Sequence, residues 1–557
     1  MINYEDDLNK IDIFPTGKIF RIYFDSSVKS LRIISKNISY FEEIRNFFSV
    51  KNKSAFFSQQ YGYKGEDRLY NINKFGYFKC GLVYDILDWI KIQYGSLNCV
   101  ALSNNCMNYI NDILRPLKTF IDNFDNFEIK NIAEETGRND ELRKLSKTNS
   151  NIFPYNFRDY QKNAVEALIK KSYGRGMIEI PTSGGKTFIL SNFMWNIDLL
   201  THKSNKFMIL VPNLQLVEQF YADLIDFGYK KEQLAKFAGG MSKKEQKIND
   251  INTAKIVIAN RQYLFKNKNK LPLFDALICD EVHTILANSS AEFVSEFPAK
   301  IKIGCSGTIP DDKYKYNQLV GMFGKIAYRE EITKLQQEGF ITKLNIISFS
   351  ILDKFIENDR NCLFHENSYH KYKPDDINSD LKFDDSVKAE HEYFAKEYKK
   401  LYKPVLDYIP KLTGNTLVLF DKIDIGTSLF EYFKELYPNI ISIYNDGSTK
   451  VKNREDTRAM LEKTDGNVFF ANVQILSTGV SIKRLHNIVF CFSSKSTTRI
   501  IQSCGRALRL YNDKEYANLI DVSYNFKYSQ KHYKSRLSLY KQFYNKSKPD
   551  KTISIII

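Results

Sequence analysis

No apolar run in the 557 residues reaches the ~18 that a membrane-spanning helix needs, so a membrane role is not expected. The first ten residues, MINYEDDLNK, are acidic and lack the basic–apolar–small pattern of a secretory signal. The eight cysteines are scattered, with no C-x-x-C and no paired spacing of the kind that holds zinc or builds a disulfide framework. Isolated cysteines inside apolar runs, such as Cys279 and Cys305, are expected to be plain core residues of a reducing compartment. The expectation is a soluble, cytoplasmic protein. No repeat of fixed period and no long low-complexity tract is visible, which excludes solenoids and disordered linkers as the main architecture.

The chain does carry charge of one sign in excess. Formal net charge is +16, which points to a polyanionic partner. Lys, Asn, Ile and Tyr are also the residues that AT-rich codons favour, so part of the basicity can be coding bias. Hydrophobic residues make up 43% and charged residues 26%, a globular balance, and the length calls for about three domains.

Texture divides the chain. Residues 1–130 read as a small α/β domain that binds DNA, with alternating KIFRIYF and LRIIS, a helical FEEIRNFFSV, an aromatic and glycine-punctuated stretch, and a helical YDILDWIKIQ. Of its aromatics, Tyr61, Tyr63, Phe75, Tyr77 and Phe78 are expected to pack in a core, and Lys64 and Arg68 to be better placed for phosphate. Residues 131–152 lack an apolar face and read as a linker. From 153, short continuous apolar strands alternate with helices, the signature of parallel βαβ units buried on both faces. This predicts two successive α/β domains, 153–332 and 333–525, the second interrupted by a polar, irregular insertion near 351–395. Residues 526–557 read as a basic tail with interleaved tyrosines, either a solvated helix or a duplex-binding element.

The sharpest local signal is Pro181-Thr182-Ser183-Gly184-Gly185-Lys186-Thr187, set between strand-like GMIEI and helical FILSNFMWNI. Glycines let successive backbone N–H groups face one point, and a helix N-terminus adds partial positive charge. Thr182, Ser183, Gly184 and Gly185 would cradle phosphates, Lys186 would reach the β- and γ-phosphates, and Thr187 would ligate magnesium. Ile180 stands where the full phosphate-loop pattern has glycine. About a hundred residues on, ALICDEVHTI ends an apolar strand in Asp280-Glu281-Val282-His283. Asp280 suits magnesium, and Glu281 suits the orientation and deprotonation of an attacking water. His283 suits coupling of the ATP state to a nucleic-acid site.

Further segments follow in order: Phe157-Arg158-Asp159-Tyr160-Gln161; ILVPNLQLVEQF with Pro212 and Asn213; Ala259-Asn260-Arg261-Gln262; Ser306-Gly307-Thr308; Leu419-Phe420-Asp421-Lys422; Ser477-Thr478-Gly479-Val480-Ser481; and Gln502-Ser503-Cys504-Gly505-Arg506-Ala507-Leu508-Arg509. In this order they resemble the motifs of superfamily 2 helicases. The resemblance implies two tandem RecA-like domains with parallel sheets, preceded by the small N-terminal α/β domain, using ATP and Mg²⁺. It implies that Arg158 and Gln161 read adenine, and that Ser306 and Thr308 join His283 in coupling hydrolysis to movement. Gly479 then senses ATP; Pro212, Asn213, Lys422, Ser477 and Thr478 touch nucleic acid; and Gln502, Arg506 and Arg509 serve catalysis. Arginine is planar and always charged, which suits the spread charge of a γ-phosphoryl transition state.

SGTIP followed by YNQLVGMFGKI, STGVSIKRLHNIVF, and the N-terminal ISYFEEIRNFFS and YGYKGEDRLYNINKFGYFKCGLV resemble the phage UvsW-type recombination helicases over most of 17–525. That similarity implies ATP-dependent remodelling of single-stranded and branched DNA: branch migration, fork regression, unwinding of D-loops and R-loops, and annealing. It also implies RNA as a partner within hybrids, a monomeric motor, and the cytoplasm of an infected host. The alternatives left open are an RNA helicase of the same superfamily, a restriction motor subunit, and a DNA-binding and annealing protein with weak ATPase.

Overall fold

The computed structural model describes residues 17–25, 30–52, 68–102, 112, 114–123, 127–147, 154–239, 250–352, 397–445, 460–473, 484–491, 500, 504–505, 507–511 and 514–557. Two compact units emerge: Met1–Ile180 with Gly185–Arg329, and Glu330–Ile557 with the short turn Pro181–Gly184. No helix among the described residues is long and apolar enough to cross a membrane.

The first unit opens with β1 (Phe20–Asp25), β2 (Ser30–Ser35), helix α1 (Ile38–Phe47), β3 (Ser49–Lys51), β4 (Arg68–Tyr70), β5 (Tyr77–Phe78), helix α2 (Val83–Tyr94) and β6 (Val100–Leu102). Four of the strands form a sheet ordered β5-β2-β1-β6, and β3 pairs with β4 alone. Asn37 starts α1 by accepting the Ser39 N–H on its side chain, and Gly95 in the left-handed region ends α2. Phe20, Ile22, Leu31 and Ile33 of the sheet bury against Phe41, Ile44, Ile86 and Ile90 of the helices. Phe78 joins this core, whereas Arg68 donates to Ser49 Oγ at 2.8 Å and so braces β4 on β3. Tyr61, Tyr63 and Lys64 lie outside the described residues.

The stretch read as a linker is folded. A short turn at 132–135 leads into α3 (Arg138–Ser146). Asn139, fully buried, donates to Tyr155 O and accepts from Tyr155 N–H at 2.7 Å. Asn192 accepts from Ile132 N–H at 2.9 Å, and Asn196 from Lys130 N–H at 2.8 Å. Buried asparagines hold this segment where an apolar stripe would be sought.

Next come α4 (Asp159–Glu166), β7 (Arg175–Glu179), α5 (Lys186–Thr201), β8 (Phe207–Val211), α6 (Leu214–Asp226), β9 (Leu234–Phe237), β10 (Ile256–Asn260), β11 (Ala276–Asp280), β12 (Ile301–Ser306), α7 (Lys313–Phe323) and β13 (Ile326–Arg329). The seven strands form one parallel sheet ordered β13-β7-β12-β11-β8-β10-β9. Every residue of β8, β10, β11 and β12 is buried, as strands covered on both faces require. Two cations enter this core at the ends of helices. Arg175 donates to Met322 O at 2.9 Å in the last turn of α7, and Lys302 to Val294 O at 2.7 Å in the last turn of helix 288–296. The partial negative charge of those helix C-termini offsets part of the burial, which still pulls Lys302 down to about 7.

The second unit carries β14 (Lys343–Leu352), α8 (Tyr398–Leu406), β15 (Asn415–Phe420), α9 (Ile423–Leu436), β16 (Ser442–Asn445), β17 (Val468–Asn472), β18 (Leu485–Phe490), β19 (Tyr516–Tyr524), α10 (Lys527–Tyr544) and β20 (Lys551–Ile556). Its seven-stranded sheet, again parallel, is ordered β16-β17-β15-β18-β19-β14-β20. The two parallel sheets are the tandem RecA-like pair that the sequence led us to expect. Residues 353–396, which hold all but the first two positions of the irregular insertion, lie outside the described residues.

The segment read as a basic tail is built into this second unit. β20 pairs with β14 at the sheet edge, and α10 docks through an internal ion pair. Arg536, 1% exposed, places Nη2 2.7 Å from Asp521 Oδ1 and Nε 3.0 Å from both carboxylate oxygens. Tyr540 donates to Asp521 Oδ2 at 2.7 Å, so the buried carboxylate is met on both oxygens.

The N-terminal sheet and the first parallel sheet share one core, and they meet at glycines. A Cβ on Gly81 would lie 2.0 Å from Val320 O, and one on Gly321 2.4 Å from Lys79 Cβ. Gly81→Ala is therefore expected to force α2 and α7 apart and to cost about 1–3 kcal/mol, the usual range for overpacking. Chemical denaturation followed by tryptophan fluorescence checks this; a midpoint equal to that of the parent protein counts against the close approach.

Candidate nucleotide site

The residues singled out from the sequence of the first unit gather at the C-terminal ends of its parallel strands, where open α/β sheets place ligands. The chain leaves β7, turns through 180–185 and enters α5 at Lys186. Ser183 (φ +72°) and Gly185 (φ +77°) both adopt left-handed backbone, and Gly184 N–H donates to Pro181 O at 2.9 Å. The tight turn forms although position 180 is Ile, because Ile180 continues β7 instead: its N–H donates to Ser306 O at 3.0 Å and its side chain is fully buried. Helix α5 is sixteen residues long and begins without a side-chain cap, so its first N–H groups face outward as donors for an anion. Thr187, in its first turn, is partly exposed.

Gln161 is buried against this loop. Its Oε1 accepts from Arg158 N–H at 3.1 Å, and its Nε2 lies only 2.6 Å from where a Cβ on Gly185 would stand. The segment read as base-contacting and the phosphate loop are thus in register on one edge of the sheet.

Lys186 is buried beside the two carboxylates of the Asp280-Glu281 pair, with Nζ 3.5 Å from Glu281 Oε1. Burial works to lower its pKa, but the charges of Glu281 and Asp280 prevail and hold the ammonium above its ordinary value. The carboxylates diverge. Burial and then the neighbouring Glu281 push Asp280 up to about 6. Glu281 is held below its ordinary value, because Lys186, His283 and Ser306 outweigh its burial. At neutral pH the cluster therefore carries two negative charges against one positive, with His283 kept neutral by burial. That residual negative charge and the two hard oxygen donors fit a divalent cation at Asp280, and the uncapped start of α5 fits a phosphate chain.

Ser306 ties the cluster together. Its Oγ lies 3.0 Å from Glu281 Oε2 and 2.8 Å from His283 Nδ1, and it accepts the Thr308 N–H at 3.2 Å. Glu281 itself sits at φ +50°, an unusual conformation for this residue that turns its side chain back onto the sheet edge. Arg261 Nη1 donates to Thr284 O, linking the Asn260-Arg261 segment to the turn that holds His283.

Other residues singled out from the sequence lie elsewhere in the two units. Asn213 caps α6 by accepting Leu216 N–H at 3.0 Å, and Asn260 caps the next helix and reaches Pro212 O at 3.4 Å. In the second unit, Lys422 is exposed just before α9. Arg509 is half-buried, its carbonyl accepting from Thr342 Oγ1 at 3.0 Å. Ser477, Thr478, Gly479, Gln502 and Arg506 lie outside the described residues.

Three contributors escaped the sequence reading. Cys305, taken as plain core, donates through Sγ to Asp280 Oδ1 at 3.1 Å. It can do so because the β11–β12 register sets Asp280 opposite Cys305. Glu179, at the end of β7, accepts Ile309 N–H at 2.9 Å and pairs with Arg329. Lys514, buried, donates to Ala507 O at 2.8 Å and Leu485 O at 3.1 Å, pinning the segment before Arg509. Burial, and then the charge of Arg509, pull its pKa down to about 7. No motif spacing announces any of the three.

Residues 154–311 match the family described as type III restriction enzyme, res subunit, and residues 400–511 the helicase conserved C-terminal domain. The chain belongs to helicase superfamily 2. Among proteins similar to this helicase is the ATP-dependent DNA helicase uvsW of Enterobacteria phage T4, 28% identical over 406 residues that cover 70% of this chain and 74% of that protein. Among solved structures, S. cerevisiae Dbp5 bound to RNA and ADP BeF3 superposes with a TM-score of 0.50 at 13% identity, covering 77% of this chain and 96% of that one, a likeness of fold alone.

Ser306→Ala removes the hydroxyl shared by Glu281, His283 and Thr308 N–H. The expected loss is about 1–3 kcal/mol, the cost of leaving buried polar groups unmet. Urea unfolding measures it, and a loss below about 0.3 kcal/mol would mean that solvent replaces the hydroxyl and that the cluster does not depend on it.

Proposed function

We propose that this helicase is an ATP- and magnesium-dependent DNA translocase that remodels branched DNA by branch migration, fork regression, and unwinding of D-loops and R-loops, with strand annealing as an accompanying activity. The observation that carries the nucleotide half is Lys186, little exposed at the uncapped start of α5, 3.5 Å from Glu281 Oε1 and in the field of Asp280. The DNA half is supported by the similarity to the phage enzyme and by the net charge of +16.

In this reading the turn 182–185 and the first N–H groups of α5 receive the phosphate chain, and Lys186 turns from Glu281 toward its β- and γ-oxygens. Thr187 and Asp280 hold the magnesium ion, which supplies charge neutralisation on the phosphate oxygens. Glu281, released from Lys186, keeps Ser306 as its partner, which aims its other oxygen at a water and lets it accept that water's proton. Its depressed pKa keeps it ionised and ready at neutral pH. Gln161 and Arg158 face the base. Arg506 and Arg509 of the second unit take the developing transition-state charge, and His283, Ser306 and Thr308 relay the state of Glu281 to the nucleic-acid segments near Pro212, Asn213, Lys422, Ser477 and Thr478.

Two outcomes test this. Lys186→Ala and Asp280→Ala are each expected to lower steady-state ATPase by at least a hundredfold while leaving DNA affinity within about threefold; normal turnover in either variant removes the site assignment. With the parent protein, ATPase should rise most with a four-way junction or single-stranded DNA, less with linear duplex. Stimulation by RNA alone makes it an RNA helicase instead, and no stimulation by any nucleic acid removes the motor reading.

A further inference from the structure

Helix α10 has two chemically distinct faces. One is sealed into the second unit by Arg536, Tyr540 and Tyr544, all buried. The other points outward, with Lys531, Lys534, Ser538 and Lys541 exposed at spacings of three, four and three. That spacing keeps them on one side of a helix. Gln530, Lys531, Lys534, Ser535 and Ser538 line an open recess of roughly 430 Å³. Every lining residue is a lysine, a hydroxyl or an amide, the side chains that contact phosphate and sugar in nucleic-acid complexes, and none is apolar. From Phe526 to Pro549 the sequence contains no Asp or Glu. The nearest acid beyond, Asp550, is engaged by Lys546 and by Ile346 N–H.

We propose that this outward face of α10 is a second nucleic-acid contact surface, separate from the helicase motif segments, that grips the phosphodiester backbone without reading sequence. The inference rests on the nucleic-acid motor reading above and adds to it a docking element outside every motif. Lys531 and Lys541 stand about 15 Å apart along the axis at 1.5 Å per residue. That length follows about four phosphates at 3.4 Å per charge of one duplex strand. Ser535 and Ser538 rest their hydroxyls on the carbonyls of Lys531 and Lys534 at 3.2 and 3.3 Å, long bonds that a hydroxyl rotation exchanges for a phosphate oxygen. The Arg536–Asp521 pair and β20 keep the face rigid, so ordering costs on binding fall mainly on the lysine side chains.

The test is the salt dependence of binding, read by fluorescence anisotropy on labelled duplex and single-stranded DNA and RNA between 50 and 200 mM salt. The full chain is compared with Lys531→Ala/Lys534→Ala/Lys541→Ala and with a control, Lys399→Ala/Lys403→Ala/Lys434→Ala, which removes three exposed lysines from α8 and α9. The α10 variant is expected to lower the slope of log K against log salt by about 2 to 3, at 0.7–0.9 per lost phosphate contact. The control should leave the slope in place, and both should keep the ATPase measured without nucleic acid. An unchanged slope in the α10 variant overturns the inference while leaving the motor reading intact. Equal losses in both variants overturn it too, since the effect is then general charge. If the parent chain binds no nucleic acid, the motor reading itself fails and this surface with it.

Discussion

An ammonium paired with one carboxylate, in the field of a second, dictates most of what surrounds it. Lys186, Asp280 and Glu281 are all withdrawn from bulk water, and such a cluster survives only where its geometry is fixed and its remaining hydrogen-bonding capacity is met. Both demands are passed to the backbone. β11 and β12 must pair so that Asp280 faces Cys305, the turn after β11 must accept a left-handed Glu281, and β12 must end on Ser306. The same geometry shifts the two acids in opposite directions, Asp280 upward and Glu281 downward.

What the sequence made legible is what local patterning controls. Runs such as FMILV and ALICD could only be strands covered on both faces, and they are. The glycine turn before α5 and the acid pair after β11 followed from chemistry that tolerates few residue types. Cys305 shows where legibility stops. Its partner is chosen by strand register, which no single segment encodes, so an apolar run looks the same whether its cysteine is inert or bonded to Asp280.

The two polar stretches mark a different limit. Residues 131–147 are anchored by Asn139, Asn192 and Asn196, and 526–557 by Arg536, Tyr540 and Tyr544. Pattern reading weighs apolar residues, and here amides, a guanidinium and phenols share the inward faces with a few apolar side chains such as Ile132 and Leu142. Asn139, Arg536 and Tyr540 are tolerated inside because a partner waits for each: Tyr155 for Asn139, and Asp521 for Arg536 and Tyr540. A buried arginine is invisible until its carboxylate is known, and Asp521 gives no sign of itself inside a mostly buried strand.

The order of strands in the second sheet has a kinetic side. Asn415 and Asn467, which join β15 to the start of β17, are 52 residues apart, whereas Ile346 and Asp550, which join β14 to β20, are 204 apart. That is close to two doublings of loop length, or about 1.2 kcal/mol of additional closure entropy. The centre around β15, β17 and β18 is thereby favoured to collapse first, and β14 is left to wait for β19 and β20. During that wait β14 presents a long, mostly buried-type strand with both edges open, the form in which a chain is most exposed to pairing with its neighbours.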